Sequence, residues 1–283
     1  MRIADLAGRL VLVHADETAT DVAEASAGRF GPDPQSAFED WDAFRAWAET
    51  VPDAAGSPLD RTRLGPPVPR PPQVFAIGVN YREHADEAGY PPDSAPVTFT
   101  KFPSSLTGPE STVELPEGNV DWEVELVIAI GRRARRVARE DAWSFVAGLT
   151  IGQDLSERVA QLEGTRPQFS LAKSHPGFSP TGPWLVTPDA FVDPGDLAIS
   201  CALDGETMQD SRTSRMIYDI PELVARLSAV VTLLPGDLVF TGTPSGIGNA
   251  RTPKRFVRPG EELTSTIEGI GTMTTTFVAG SPA

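Results

Sequence analysis

The 283-residue chain has a single cysteine, Cys201, which rules out an intramolecular disulfide. With only three histidines (His14, His84 and His175) it also lacks a Cys/His set for a zinc site. Positive charge is scarce: 24 Lys and Arg stand against 39 Asp and Glu, a formal net charge of -15. A surface that acidic repels phosphate backbones, so nucleic acid is not expected as a partner. Long apolar runs are missing too. The longest, near residues 126–130 and 227–234, are far too short to span a bilayer. The first 17 residues carry acids and no small-residue cleavage pattern, so they do not read as a signal peptide. What remains is ordinary: 40% hydrophobic and 22% charged residues, enough for a buried core. These features predict a soluble, cytoplasmic protein with no membrane partner.

Two parts are expected. Residues 1–50 read as a strand at 9–14, a polar stretch, then a helix in which Phe38, Trp41, Phe44 and Trp47 form an apolar stripe. Residues 52–72 are rich in proline and read as a semi-rigid connector without a core of its own. The domain boundary is placed there: 1–72 a small N-terminal domain with its linker, 73–283 the larger domain. In the latter, short apolar runs at 74–79, 124–130, 149–151, 184–186, 198–203, 238–241 and 273–278 read as strands. One helix is well marked, with Pro221 in its first turn and Leu223, Val224, Leu227, Val230 and Val231 at core spacing. The fold class is α+β, mainly β.

Residues 120–128 alternate strictly, placing Asp121, Glu123 and Glu125 on one face of a strand and Trp122, Val124, Leu126 and Ile128 on the other. Two readings are open. The acids form a wet outer face, which is the commoner fate of charge, or they face inward and share a cation. Burying such carboxylates without a partner costs several kcal/mol each, roughly, and a divalent metal removes that difficulty. All-oxygen ligands favour Mg²⁺, Mn²⁺ or Ca²⁺ over zinc. Asp154 ends another apolar run, and a helix from there would put Asp154, Arg158 and Gln161 on one side, suited to a carboxylate-bearing substrate. The alternative is an N-capping Asp154 paired with its own arginine.

Taken together, the phrases resemble the fumarylacetoacetate hydrolase family. They are Ile77-Gly78-Val79-Asn80-Tyr81-Arg82-Glu83-His84, the Glu123-x-Glu125 strand, Asp154…Arg158…Gln161, Leu171-Ala172-Lys173-Ser174, Gly182-Pro183-Trp184, and the stretch from Gly236 to Gly248 that contains Thr241-Gly242-Thr243-Pro244. Their order and spacing match across about residues 74–280. The resemblance implies a mixed β-sandwich roll, a homodimer, and a Mg²⁺- or Mn²⁺-dependent enzyme of aromatic catabolism acting on a β-diketone or 2-oxo acid. By position, Glu123, Glu125 and Asp154 match the family's metal ligands, Lys173 its active-site lysine, and His84 with Glu87 its catalytic dyad. Tyr81, Arg158, Gln161 and Thr243 fall where members line the substrate pocket. One departure stands out: many members carry Phe-Asp after Lys-Ser, whereas this chain reads Ser174-His175-Pro176.

The residues suit that chemistry. His84 and Glu87 are i, i+3, so on a helical turn the carboxylate can orient the imidazole. A histidine so held can take a proton from water at neutral pH, and Lys173 can stabilise a developing enolate. The expected reaction is hydrolysis of a carbon–carbon bond in an acylpyruvate. The same site could instead support decarboxylation or isomerisation of 2-hydroxy-dienedioates, or decarboxylation of oxaloacetate. A non-catalytic metal-binding dimer is the reading from another class, and His84, Glu87 and Lys173 together argue against it.

Overall fold

Strand Val124–Ile130 is buried along its whole length and lies at the centre of the fold. Val124, Leu126, Ile128 and Ile130 belong to one apolar cluster, Val127 and Ala129 to another. Successive side chains of a strand point to opposite faces, so this strand separates two cores. The structure is a computed structural model and describes residues 1–52, 56–89 and 96–280.

The central strand pairs antiparallel with Val146–Gln153 on one side and with Leu238–Phe240 on the other. Beyond Leu238–Phe240 come Val74–Gly78, in parallel, and Val97–Thr100. In the other direction Ser179–Val186 is followed by Arg2–Leu6, Arg9–Val13 and Thr18–Asp21. A second mixed sheet runs in the order Glu206–Arg212, Ala198–Leu203, Glu262–Ile267, Gly271–Ala279, Glu110–Leu115. It packs on the first through a shared core that includes Leu126, Ile128, Ile199, Leu263 and Phe277. The mainly β, α+β architecture is the one expected, and the helix at Ile220–Val230, capped by Asp219, starts and ends where the sequence placed it to within a residue. Among the described residues no helix is long and apolar enough to cross a membrane.

Three expectations are corrected. The aromatic stripe is not one helix: a 3₁₀ turn covers Pro34–Phe38, and a separate helix Trp41–Ala48 begins where the Asp40 side chain accepts from the Ala43 N–H. That capping bond restarts the backbone and breaks the continuous spacing. The rings still share one cluster with Val127, Ala129, Leu238 and Phe240, on the back of the central strand. The proline-rich connector is not without a core, because Leu64 and Val68 are buried and Leu64–Gly65 pairs with Asp5–Leu6. Strands Glu110–Leu115, Glu206–Arg212 and Glu262–Ile267 were not expected. Their Ser-, Thr- and Glu-rich alternation reads as loop until the opposite face is known to be buried.

Candidate active site

The strand register brings the chemistry to one end of the first sheet. Val124 stands opposite Gln153, and Phe240 opposite Val127 and beside Ala76. Hence the entry to Val124–Ile130 and the exits of Val146–Gln153, Leu238–Phe240 and Val74–Gly78 lie together. Beyond the ladder the Asp154 N–H still donates to the Glu123 carbonyl at 2.9 Å. Glu123 therefore faces Asp154 across the strands, and Glu125 follows on the same side two residues on. Carboxylate oxygens of Glu123, Glu125 and Asp154 all lie within 4.8 Å of one another, and all three residues are buried. Burial decides for the inward reading over the wet face.

Cations neutralise two of the three acids. Lys173 Nζ donates to Glu123 Oε2 and Asp154 Oδ2, both at 2.8 Å, and to Ser156 Oγ at 2.6 Å. Arg158 Nη2 donates to Glu123 Oε1 at 2.6 Å. Burial alone would raise the Glu123 pKa, but Lys173 and Arg158 outweigh it and hold it down at about 2. Burial likewise disfavours the charged Lys173, and the Asp154 and Glu123 carboxylates reverse the effect and keep it protonated. Glu125 differs. Its Oε2 accepts from the Gly242 N–H at 2.7 Å, and among the described residues no cation pairs with it. Burial, then the Asp154 and Glu123 charges, push its pKa well above the usual carboxylate range. Three clustered acids with one left uncompensated are the donor chemistry of a hard divalent cation, and the residues fit such an ion.

On the other wall, helix Arg82–Ala88 carries the expected dyad, with His84 Nδ1 and Glu87 Oε1 2.7 Å apart. Glu87 is itself held by the Gly246 N–H, at 3.2 Å from Oε2. His84, Glu87, Glu123, Arg158, Gln161 and Lys173 all open onto one cavity of about 290 Å³. Arg158 and Gln161 do share a helix face, in Arg158–Gln161, and bond at 2.8 Å. Asp154 stands outside that helix, whose cap is Glu157, so the expected run from Asp154 through Gln161 is corrected. The chain between pairs as strand: Ser156 lies opposite Asp121.

Of the expected pocket residues, Tyr81 does not line the cavity and Thr243 does. Tyr81 is fully buried, its hydroxyl has no hydrogen-bond partner among the described residues, and burial with the nearby Glu125 charge raises its pKa strongly. Thr243 does line the cavity, but its hydroxyl donates to the Val124 carbonyl at 2.9 Å and accepts from Gln209 Nε2 at 2.8 Å. It fastens the turn to the central strand. His175 is half-buried against the Phe178 ring, with centroids 4.8 Å apart, and burial lowers its pKa.

Three residues that shape the site were not singled out from the sequence, Lys101, Asn80 and Gly242, and the inward-facing cation role read for Asp121 is corrected. Lys101 is fully buried and donates to Asp154 Oδ1 at 2.5 Å and to the carbonyl oxygens of Lys173 and Phe178. Burial lowers its pKa. Asp121 leaves the metal cluster to accept from Arg158 Nε at 2.9 Å and from the Gly248 and Asn249 N–H groups. Asn80 donates to the carbonyls of Tyr218 and Thr241, tying the helix entry to the turn that holds Glu125. Gly242, at φ +101°, presses against Asn80, where an added Cβ would lie 2.7 Å from the Asn80 Cβ. The Phe99-Thr100-Lys101 alternation was the one available signal for a lysine with a job inside. Between Gly78 and Asn80, Val79 adopts φ +59°, an unusual conformation for a β-branched residue.

Residues 73–278 match the model of the fumarylacetoacetate (FAA) hydrolase C-terminal family. The chain is 42% identical over 207 residues to the mitochondrial oxaloacetate tautomerase FAHD2A of Bos taurus, covering 72% of this chain and 66% of that protein. It thus spans just under two thirds of that relative's length. The structure superposes on an HpcE-like protein from Mycobacterium smegmatis with a TM-score of 0.94 at 53% identity, covering 99% of this chain and 100% of that one. Maleylpyruvate hydrolase from Sphingobium sp. SYK-6, solved with manganese (II) and pyruvate, matches with a TM-score of 0.79 at 31% identity, over 99% and 100% of the two chains. The motifs, the register that assembles them and these matches agree: the chain belongs to the fumarylacetoacetate hydrolase family of enzymes.

Proposed function

We propose that the protein is a Mg²⁺- or Mn²⁺-dependent hydrolase that cleaves a carbon–carbon bond in a β-diketo acid of the acylpyruvate type. One observation carries the reading: a histidine fixed by a carboxylate, His84 on Glu87 at 2.7 Å, opens onto the same cavity as Glu123 and Lys173. Glu123, Glu125 and Asp154 would hold the ion, which when bound supplies Lewis-acid polarisation of the substrate's oxygens. Glu87 accepts the Nδ1 proton of His84 and so leaves Nε2 as the base. Nε2 takes a proton from water, which attacks the carbonyl farther from the carboxylate. The bond between the two carbonyl-bearing halves breaks, giving a carboxylic acid and the enolate of the 2-oxo acid. The Lys173 ammonium stabilises the enolate charge. Arg158 and Gln161 position the substrate. Gln161 lines the cavity, and with its Oε1 accepting from Arg158 its amide N–H groups are left to donate to an oxygen acceptor.

A second reading, tautomerisation or decarboxylation of oxaloacetate, is supported by the name of the bovine relative. Isomerisation of a 2-hydroxy-dienedioate would use the same groups. The proposal takes residues 1–72 as a small N-terminal unit and 73–283 as the catalytic one, in line with the family match beginning at residue 73. It also takes the protein as cytoplasmic, the expectation from composition, and as a homodimer of aromatic catabolism, on the family resemblance alone. The test is product analysis. Metal-loaded protein and an acylpyruvate should give pyruvate and the free acid in equal amounts, and chelator should stop the reaction. Consumption of oxaloacetate without acylpyruvate cleavage would overturn the hydrolase reading in favour of the second.

A further inference from the structure

We propose that Asp121 is a positioning residue that sets two walls of the cavity from one carboxylate. On one side it fixes the Arg158 guanidinium, and on the other, through the turn at residues 246–249, it fixes Glu87. This goes beyond the proposed reaction in concerning where the groups stand, and it rests on that reading only in taking His84 as the base.

Asp121 alternates with Glu123 and Glu125 in the sequence, yet it takes no part in their cluster with Asp154. Its short strand, Val120–Asp121, pairs with Ser156–Glu157, the chain that leads straight into Arg158. The side chain is fully buried and saturated with donors. Oδ1 accepts from the Trp122 N–H at 2.9 Å and from the Gly248 N–H at 2.7 Å. Oδ2 accepts from Arg158 Nε and from the Asn249 N–H, both at 2.9 Å, and lies 2.8 Å from Arg158 Nη2. A carboxylate offers about four acceptor sites. These donors occupy them, which leaves none for an ion.

Each bond leads on to the chemistry. Arg158 continues from Asp121 to Glu123 Oε1 at 2.6 Å and Gln161 Oε1 at 2.8 Å, so its place on the cavity wall is set from behind. The turn that Asp121 holds by its N–H groups offers the Gly246 N–H to the Glu87 carboxylate, 3.2 Å away. Trp122 Nε1 and Arg251 Nε hold the opposite edge of the turn, donating to the Gly246 carbonyl at 3.2 and 3.3 Å. Ile247 and Asn249 line the cavity, so the turn is itself part of the wall. Its approach to Asp121 requires glycine at 248: a Cβ there would lie 1.7 Å from the Arg255 carbonyl oxygen and 2.8 Å from Asp121 Oδ1. One buried charge thus joins the arginine that binds substrate to the carboxylate that orients the base. Asparagine in its place keeps the size but puts an amide nitrogen against N–H donors, and they part. A displacement of about 1 Å near the chemistry can cost about 10² in rate.

The test reads the two arms apart. Calorimetry gives Mn²⁺ affinity and the binding of pyruvate to Mn²⁺-loaded protein, and kcat is measured on an acylpyruvate. Arg158→Lys keeps the charge but loses the Nε bond, and should weaken pyruvate about tenfold or more, with little added when Asp121→Asn is combined with it. Gly248→Ala moves the turn and alters no charge, so kcat should fall about tenfold or more while pyruvate binding stays within about threefold. Asp121→Asn should show both losses and hold Mn²⁺ affinity within about threefold, since it is no ligand. Combined with Glu87→Gln, it should cost less kcat than the product of the two single losses, because both break one chain of contacts. A purely structural role would give the full product and overturn the proposal. So would unchanged pyruvate binding in Asp121→Asn, failure of the unaltered protein to bind pyruvate, or a fall in Mn²⁺ affinity beyond about tenfold, the mark of a ligand. Should Asp121→Asn not fold, the other two variants decide: the proposal falls if Arg158→Lys spares pyruvate binding or Gly248→Ala spares kcat. The hydrolase reading fails separately. If the unaltered protein binds pyruvate but cleaves no acylpyruvate, that reading is lost, and the role of Asp121 stands or falls on pyruvate binding.

Discussion

The main-chain N–H of Asp154 donates to the carbonyl oxygen of Glu123 across 2.9 Å. That bond extends the pairing of Val124–Ile130 with Val146–Gln153 beyond the regular ladder, and it sets two acids from distant parts of the sequence face to face. The site is thus a consequence of strand register. A slip of one residue would turn Glu123 and Glu125 to the opposite side and dismantle it. The apolar clusters on both faces of the central strand oppose such a slip.

The first prediction concerns Glu125, the acid without a cationic partner. Adding Mg²⁺ or Mn²⁺ to metal-free protein should raise Tm, because a ligand bound by the folded state alone stabilises it by mass action. Glu125→Gln should lose most of that rise. It should also melt higher than the unaltered protein when both are metal-free, since a neutral amide removes the repulsion from Asp154 and Glu123. Differential scanning fluorimetry with and without chelator reads both effects. A full metal-induced shift in Glu125→Gln would remove this residue from the ligand set.

Lys101 gives the second prediction. Removing one partner of a buried ion pair costs about 3–5 kcal/mol, because the other charge is left unpaired. Lys101→Met should therefore lower Tm by at least about 5 °C in metal-free protein. The loss should shrink when metal is present, because the ion then neutralises Asp154. Chemical denaturation with and without Mn²⁺ makes the comparison. A loss that is the same in both would show that Lys101 serves Asp154 in no electrostatic way and acts through the carbonyls of Lys173 and Phe178 alone.

Much of this was legible in the sequence because it is carried by local pattern. The Glu123-x-Glu125 alternation, the i, i+3 spacing of His84 and Glu87, and the cap and spacing of Ile220–Val230 each depend on a handful of neighbouring residues. Lys101, Asp121 and Asn80 were not legible, because their roles depend on partners brought up from remote strands and loops. Thr243 shows the same limit from the other side. Its hydroxyl looks free for a substrate in the sequence, and the fold gives it to the Val124 carbonyl. The polar strands of the second sheet were missed because Ser and Thr alternation reveals a buried face only once the opposing sheet is known.

Lys173→Met, the third prediction, separates chemistry from scaffolding. The substitution keeps the stem and removes the charge, so kcat should fall by about 10² or more, as when one electrostatic contact to developing charge is lost. Lys173 also bridges Glu123 and Asp154, so the metal-free variant should be less stable. Saturating metal should restore much of that stability and none of the rate. An unchanged kcat at saturating metal would place the lysine outside the reaction.

The fourth prediction is a pH dependence away from the site. Asp237 is buried in the turn before Leu238–Phe240, its Oδ2 accepting from Gln73 and from the Leu234 N–H while Oδ1 has no partner among the described residues. Burial raises its pKa from 3.8 to about 6. The folded state therefore holds this proton more tightly than the unfolded chain does. The stability it contributes is fully present below about pH 4 and is lost as pH rises through about 6. A shift of this size corresponds to about 2–3 kcal/mol. Asp237→Asn does not titrate, so its stability relative to the unaltered protein should improve by about that amount between pH 4 and 8. Urea denaturation at the two pH values checks the sign, and a gap that narrows on raising the pH would reverse the assignment.

The fifth prediction separates hydrolysis from its rivals by the base. Cleavage of an acylpyruvate needs a water deprotonated beside the carbonyl, and His84, held by Glu87, is placed on the cavity wall to do it. Decarboxylation of oxaloacetate activates no water. So His84→Ala should slow acylpyruvate cleavage by at least about 10²-fold, the usual scale of general-base loss, while any oxaloacetate decarboxylation falls much less. Glu87→Gln should show a milder form of the same split, because an amide can still accept from Nδ1 but stabilises the imidazolium less. It should also loosen the turn at Gly246, whose N–H now donates to the Glu87 carboxylate. Both variants are compared with the unaltered protein on both substrates at saturating metal, so that ion binding is not confused with chemistry. Equal losses on the two substrates would mean that His84 closes or shapes the site. No loss on either would remove the base from the hydrolase mechanism and leave Lys173 and the carboxylates to serve a reaction without an attacking water.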